Sequence, residues 1–170
     1  MRKPSLIVAS CAVFFAFSAF PVLAADVPVI VKIPRLTVEA SEKMARAALD
    51  ACRKEGIQIG VTVVDRSGDP MAVLRDTLAP RITLEISKQK ANTAVNFNAA
   101  TSSMENRFTQ PFSVGKVEGL VFSAGGLPIE AAGNIIGGIG ISGAATGAQD
   151  EACAKAGIQA IQFELESASL

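Results

Sequence analysis

The first apolar segment of the chain has the layout of a secretion signal. Arg2 and Lys3 precede an uncharged run over residues 6–20, and small residues follow the run. Because that run is shorter than the roughly 20 residues that cross a bilayer, we expect cleavage after Ala24 and no stable membrane insertion afterwards. A lipoprotein cleavage box at residues 8–11 is the alternative, but it lies so early that almost no apolar run precedes it. The mature chain is expected to be periplasmic or secreted.

The mature chain begins with an extended lead-in and one amphipathic helix. Residues 25–36 contain two prolines and are predicted to be extended. Thr37 suits an N-cap, and the helix is predicted to run to about Glu55, where Gly56 ends it. Small and apolar side chains recur along it at helical spacing and form one stripe, which predicts packing against another element. The stripe consists of Ala40, Met44, Ala47, Ala48, Ala51 and Cys52.

A hairpin and a second helix follow. Residues 57–65 and 71–75 are rich in β-branched and apolar side chains and flank a Ser-Gly-Asp turn, which predicts an antiparallel pair. Pro80 suits the first turn of a helix over residues 81–99, and residues 101–107 are predicted to add a shorter helical piece.

This second helix carries apolar residues on two nearly opposite faces. The faces consist of Ile82, Ile86, Thr93, Ala94 and Phe97, and of Leu84, Ala91 and Val95. Since a surface helix normally shows one stripe, we expect one face to contact the sheet and the other a neighbouring subunit. The pattern therefore indicates a homo-oligomer.

The C-terminal half returns to strand patterns before a last helix. Segments at residues 117–123, 127–131 and 135–142 are joined by short turns, which predicts antiparallel pairing. A Thr-x-x-Gln capping box then predicts a helix over residues 148–167. The predicted fold class is α/β of the α+β type, with a five-stranded antiparallel sheet and packed helices.

Composition narrows the function classes. Cleavage leaves about 146 residues, the usual size of one domain, which we place at residues 37–170. Lys plus Arg and Asp plus Glu number 16 each, so no basic excess is available and we expect no nucleic-acid partner. The chain contains no His, which removes His-ligated zinc, Ser-His-Asp triads and the commonest haem ligand. No metal site is predicted.

Two cysteines remain after cleavage, one on each terminal helix. An even number in an oxidising compartment favours a disulfide between Cys52 and Cys153. The alternative is a pair of small, buried apolar side chains. The sequence leaves both open, because it does not give the distance between the two helices.

Two basic residues are candidates for binding an anion. Lys90 projects from the apolar face of its helix, so its ammonium could pair with an anionic ligand. The alternatives are an ammonium that extends to solvent at the edge of the stripe, or an ion pair with Glu85 or Glu118. Arg75 lies either in a loop ion pair with Asp76 or on the rim of a pocket.

The glycine-rich stretches at residues 125–128 and 137–143 lack the order of a phosphate-binding loop, because the second lies within a strand. We interpret them as positions where a helix or a planar ligand lies on the backbone. The alternative is a turn and a glycine-rich strand packed beneath a helix.

Five ordered motifs lie between residues 36 and 163. They are VVDRSG at 63–68, KANTA at 90–94, GGLPI at 125–129, GIGISG at 138–143 and QDEACA at 149–154. Together they resemble the GlcG/HbpS-like family, often labelled haem-degrading, which includes the C-terminal domain of PduO proteins. The resemblance implies a small α/β domain with an antiparallel sheet, assembly into homo-oligomers, and haem or corrinoid-related binding in some members.

The resemblance also implies which positions line the ligand pocket. The residues expected there are Lys90, Thr93, Gly125, Gly126 and Pro128, together with the rim candidate Arg75. Members thought to ligate haem iron through His have no counterpart here, which leaves Met71, Met104, Lys90 or Thr93 as the iron ligand. This departure weakens haem degradation more than haem binding.

The predicted function is a secreted small-molecule-binding protein whose ligand is haem, a related tetrapyrrole or another flat anionic molecule. One alternative is an enzyme or accessory protein acting on a small hydroxy-acid or carbonyl substrate in a catabolic pathway. Another is a structural or signalling oligomer. The sequence contains no complete set of acid, base and nucleophile, so it favours binding over catalysis.

Overall fold

The structure is a computed structural model that describes residues 28–168. The predicted signal peptide, residues 1–24, lies outside the described residues. The chain divides into two units, Met1–Lys32 and Ile33–Leu170. Residues 28–32 contain no helix or strand, and the second unit holds the fold described below.

Helices and strands of the second unit form an α+β fold, which confirms the predicted class. The elements are α1 (Val38–Lys54), β1 (Gly60–Asp65), β2 (Pro70–Arg75), α2 (Ile82–Phe97), β3 (Gly126–Ala131), β4 (Asn134–Ser142), α3 (Gly147–Gln159) and α4 (Gln162–Ser167). Short 3-10 turns lie at Thr101–Met104 and Val114–Lys116. Within residues 28–168, no helix has the length and apolar character needed to cross a membrane.

The sheet is antiparallel, with the strand order β2-β1-β4-β3. It has four strands and not the predicted five, because residues 117–123 form no strand. These residues lie against α2 instead. Val121 donates its backbone N–H to the Thr93 hydroxyl at 2.9 Å, and the Phe122 ring packs edge-on against Phe97. Their apolar character is therefore explained by contact with the helix.

Both edge strands of the sheet are interrupted. β2 begins at Pro70 and contains a bulge at Met71, which has no partner on β1. β3 contains Pro128, and its register with β4 shifts directly after Ile129. A proline donates no backbone hydrogen bond and a bulge disrupts the ladder, so neither edge presents a regular row of free backbone groups.

One face of the sheet is covered by α1 and α3, which enclose the main apolar core. The Thr37 hydroxyl caps α1, as predicted, and Met44, Ala48 and Cys52 of its apolar stripe are fully buried. The predicted capping box begins α3. Cys52 and Cys153 are bonded, with their Cα atoms 5.6 Å apart, so the disulfide is the alternative that the structure confirms.

The opposite face is covered by α2, which lies almost on the sheet. A Cβ atom at Gly140 would lie 2.6 Å from the Ala91 backbone nitrogen, and one at Gly138 would lie 2.7 Å from the Ala91 carbonyl oxygen. The glycine-rich strand β4 is therefore packed beneath a helix. Beside it, Val64, Ala91 and Val95 form a small buried apolar cluster.

The predicted helix over residues 148–167 is broken into two. α3 ends at Gln159, and Ile161 adopts a non-helical φ of −125° before α4 begins. The break places Ile161 and Leu165 in the main core. The periodicity alone did not reveal it, because the helical spacing of Cys153, Ala156, Ala160 and Phe163 continues across the break.

Candidate ligand-binding site

Lys90 is buried, and its ammonium is paired with a carboxylate. Its ammonium donates to Asp150 Oδ2 at 2.8 Å and to the Ile141 carbonyl at 3.0 Å, and the residue is only 3% exposed. Its carboxylate partner is therefore Asp150, in the first turn of α3, and not Glu85 or Glu118 as considered from the sequence. A ligand would have to displace this pair to reach the ammonium.

Asp150 connects three segments of the chain. Its Oδ1 accepts the Ala144 backbone N–H at 3.0 Å, while Oδ2 accepts from Lys90. Burial raises the pKa of the Asp150 carboxyl, and the hydrogen bonds from Lys90 and Ala144 act in the opposite direction. Since each buried charge would be costly without the other, the pair holds α2 to the start of α3.

The two glycines of the predicted ligand turn lie against this ion pair. Gly125 has a φ of +119°, and a Cβ atom there would lie 2.9 Å from the Lys90 ammonium nitrogen and 2.8 Å from the Asp150 Cβ. Gly126 donates its N–H to the Thr101 hydroxyl at 2.9 Å. The structure thus brings Lys90, Gly125 and Gly126 together in a closely packed cluster.

The other three predicted site residues make contacts of their own. The Thr93 hydroxyl donates to the Gln89 carbonyl at 2.7 Å, within α2. Pro128 lies in the edge strand β3. Arg75 is exposed at the end of β2, where its guanidinium donates to the Ala79 carbonyl. The six predicted residues thus lie on α2, on β2, on β3 and in the turn before β3.

An apolar surface is open beside α2, over the strand that this helix does not cover. Val73 pairs with Thr62, whose hydroxyl lies 2.8 Å from that of Ser87 on α2, so Val73 and Arg75 project to the α2 side of the sheet. Met71 lies in the bulge next to Pro70, the partner of Val64, which packs against α2. The Val73 side chain is 46% exposed. The sequence did not reveal this surface, because it depends on where α2 lies across the strands.

The start of α2 extends the surface. Gly60 pairs with Arg75 and approaches Thr83, so the end of β2 lies close to the first turn of α2. Ile82 in that turn is 60% exposed, and Leu78 in the connecting loop is 79% exposed. We call this surface the β2–α2 shelf; it consists of Met71, Val73, Arg75, Leu78 and Ile82.

The shelf accounts for part of the apolar stripe of α2 that runs from Ile82 to Phe97. At the C-terminal end of that stripe, Phe97 packs against Phe108 and Phe122, with ring centroids 5.6 Å and 5.2 Å away. At the N-terminal end, Ile82 has no such cover. Loop residues of the same chain thus cover half of the stripe, and the other half is free to contact a ligand or a subunit.

Two guanidinium groups flank the apolar part of the shelf. Arg75 and Arg81 are both exposed, and neither pairs with a carboxylate within residues 28–168. Beyond the other end, a polar pocket of about 440 Å³ lies between the hairpin turn and α2, with Asp69, Glu85 and Lys88 in its lining. Apolar side chains beside guanidinium groups that have no carboxylate partner suit a flat apolar molecule that carries carboxylates.

A second apolar site is a groove between α1 and α4, with a volume of about 430 Å³. Leu36 and Leu165 lie in its lining. The basic residues on its rim, Arg35 and Lys43, already form ion pairs with Asp65 and Glu164. The groove therefore suits an anionic ligand less well than the shelf does.

Three of the four iron-ligand candidates are engaged elsewhere in the chain. Met104 is 1% exposed, the Lys90 ammonium is paired, and the Thr93 hydroxyl is hydrogen-bonded within α2. Met71 is half-buried on the shelf. The described residues also contain no group of three or more Cys, Asp or Glu side chains placed to hold a metal ion.

Comparisons with known proteins identify relatives over most of the chain. Residues 36–159 match the family model described as "Haem degrading protein HbpS-like". A double mutant of Streptomyces reticuli HbpS is 38% identical, with a TM-score of 0.73, over 83% of this chain and 97% of that chain. No match was found among curated proteins.

Two further solved structures are similar. The PduOC:heme complex is 28% identical, with a TM-score of 0.67, over 75% of this chain and 96% of that chain. Klebsiella pneumoniae ORFY, of the DUF336 family, is 23% identical, with a TM-score of 0.74, over 81% of this chain and 98% of that chain, and supports the fold alone. The motif resemblance is confirmed, and the chain belongs to the HbpS-like family.

Proposed function

We propose that this chain is a haem-binding protein that holds haem on the β2–α2 shelf. The observation that carries the proposal is the 38% identity to HbpS over 97% of that chain, within a family described as haem degrading. The similar PduOC structure is a haem complex. Related tetrapyrroles combine the same flat ring with carboxylates, so we extend the proposal to them as competing ligands.

The shelf fits haem in its apolar character and in its charge. Val73, Leu78 and Ile82 are large exposed apolar side chains that can contact the porphyrin ring. Arg75 and Arg81 can bind the propionate carboxylates through charge-assisted hydrogen bonds. Half-buried Met71 lies at the bulge of the same strand, two residues before Val73.

The proposal includes a homo-oligomer in the periplasm or outside the cell. Secretion is supported by the signal layout of residues 1–24. An open shelf would leave one side of a bound haem in water, whereas ligand sites commonly bury most of the ligand surface. A second copy that covers the haem would remove this exposure. Light scattering of the mature protein tests the assembly, and a monomer in the presence of haemin would contradict it.

Titration of the purified mature chain with haemin tests binding and its location. We expect a saturable Soret change at micromolar haemin. Ile82→Glu adds a carboxylate to the shelf and should weaken binding at least about tenfold, because it repels the propionates and removes apolar contact. Phe163→Glu is the matched control, since Phe163 is 79% exposed on α4.

The outcomes separate function from location. A wild-type chain without a saturable Soret change would disprove haem binding. Equal loss of haemin affinity in Ile82→Glu and Phe163→Glu would show that haem binds the protein at a site other than the shelf.

The family description makes haem degradation a second candidate. Incubation of the haemin-loaded protein with ascorbate and oxygen tests it, with free haemin as the reference. Loss of the Soret band together with iron release above that reference would support degradation. A stable Soret band would support binding alone.

A further inference from the structure

Soft donor atoms for haem iron are scarce in this chain. It contains no His, and Cys52 and Cys153 are bonded to each other. Met44 is fully buried and Met104 is 1% exposed. Among residues 28–168, Met71 is the remaining thioether, and it is half-buried at the edge of the sheet. Its sulfur is therefore the soft donor that a ligand on the shelf can reach.

The backbone at Met71 is irregular. Val63 pairs with Ala72 and Val64 pairs with Pro70, so Met71 is an extra residue that no residue of β1 opposes. Bulges of this kind leave the extra residue outside the ladder and are over-represented beside functional sites, where they re-aim a side chain. The Met71 side chain is thus placed without a cross-strand partner on β1.

The spacing along β2 matches a ligand with a central metal and peripheral carboxylates. Val73 and Arg75 project to the α2 side, and Met71 lies in the bulge next to Pro70, the partner of Val64, which packs on that side. Met71 and Arg75 are at most about 13 Å apart at 3.3 Å per residue. Bound haem would take its iron ligand from Met71, apolar contact with the ring from Val73, and a charge-assisted hydrogen bond to a carboxylate from Arg75.

We propose that Met71 supplies the axial thioether ligand of haem iron on the β2–α2 shelf, and this proposal rests on the proposed haem-binding function. A thioether is a soft donor and binds ferrous iron better than ferric iron. Methionine ligation also raises the reduction potential of haem iron. Met71 therefore makes the protein retain haem better after reduction than a chain without this sulfur.

The test compares ferric and ferrous haem binding in matched variants. Met71→Leu removes the sulfur and nearly conserves the volume. We expect its ferrous-haem affinity, measured under dithionite, to fall about tenfold or more, because a ligand to the metal is lost. Its ferric affinity should change less, and the thioether-to-iron charge-transfer band should disappear. Met104→Leu removes a buried thioether and should leave both affinities and the spectrum unchanged.

A second variant keeps the proposal testable if Met71→Leu does not fold. Met71→His places an imidazole at the same point of the bulge, and we expect a low-spin spectrum of the imidazole type. If the wild-type chain binds no haemin, the proposed function fails. If the wild-type chain binds haemin but Met71→Leu keeps its ferrous affinity and spectrum, or Met71→His its wild-type spectrum, this inference alone is wrong.

Discussion

The two faces of the sheet are built by different means. On the α1–α3 face, apolar side chains fill the space, and the Cys52–Cys153 disulfide fastens the two helices. On the α2 face, glycines bring the helix backbone close to the strands, and buried polar contacts support it. The Thr62 and Ser87 hydroxyls, for example, lie 2.8 Å apart between β1 and α2.

This difference determines where a ligand can bind. Because α2 lies so close to Gly140 on β4, its width covers β1 and β4 but leaves Val73 of β2 exposed. On the opposite face, the main core includes Ala72 of the same strand. The α2 face has fewer apolar side chains beneath its helix. It is nevertheless the face that presents an apolar surface to solvent.

The largest expected loss of stability comes from the ion pair on the α2 side. Asp150→Asn leaves the Lys90 ammonium buried without a counter-charge, so the free energy of unfolding should fall by about 4 kcal/mol. Urea denaturation measures this. Glu164→Gln is the control, because it breaks the exposed pair with Lys43 and should leave stability nearly unchanged. Equal losses of unfolding free energy in the two variants would show that the buried pair contributes no more to stability than the exposed pair.

The next largest loss of stability is expected on the α1–α3 face. Replacing both Cys52 and Cys153 with Ala opens a loop that spans 101 positions, and we expect a loss of about 3 kcal/mol. Urea denaturation with and without reductant checks this, because reductant should destabilise only the wild-type chain. Haemin affinity should not change, since the disulfide lies across the sheet from the shelf. A parallel loss of haemin affinity would mean that the two faces are coupled.

A smaller loss is expected from one methyl group beneath α2. Gly140→Ala places a Cβ atom 2.6 Å from the Ala91 backbone nitrogen, and the helix must shift, at a cost of about 2 kcal/mol. Gly119→Ala has no atom within 4 Å, so it costs only the strain of a φ of +85°, about 1 kcal/mol. Unfolding free energies compare the two, and a smaller loss at Gly140 would contradict the close approach.

Local signals in the sequence were sufficient for most elements of the fold. The Thr37 cap and the capping box of α3 depend on contacts within four residues, and the hairpin depends on its turn. The pattern of residues 117–123 predicts a strand because β-branched and aromatic residues favour both strands and helix-covering loops. Local propensity does not distinguish these two environments.

The candidate site depends on distant contacts and was less predictable. Helical projection placed Lys90 on a buried face, but Asp150 lies 60 positions away, and periodicity does not show what lies opposite a face. The shelf was missed for the same reason. The alternating glycines Gly138 and Gly140 carried a usable signal, because they mark the strand face on which a helix backbone lies closest.

The interrupted edges of the sheet limit how copies of this chain aggregate. A free, regular edge strand is a template on which another chain adds a strand and fibrous stacking begins. Pro128 breaks that template on β3, and the bulge at Met71 breaks it on β2. The same irregular residue that interrupts the β1–β2 ladder thus also disfavours fibril growth at this edge of the sheet.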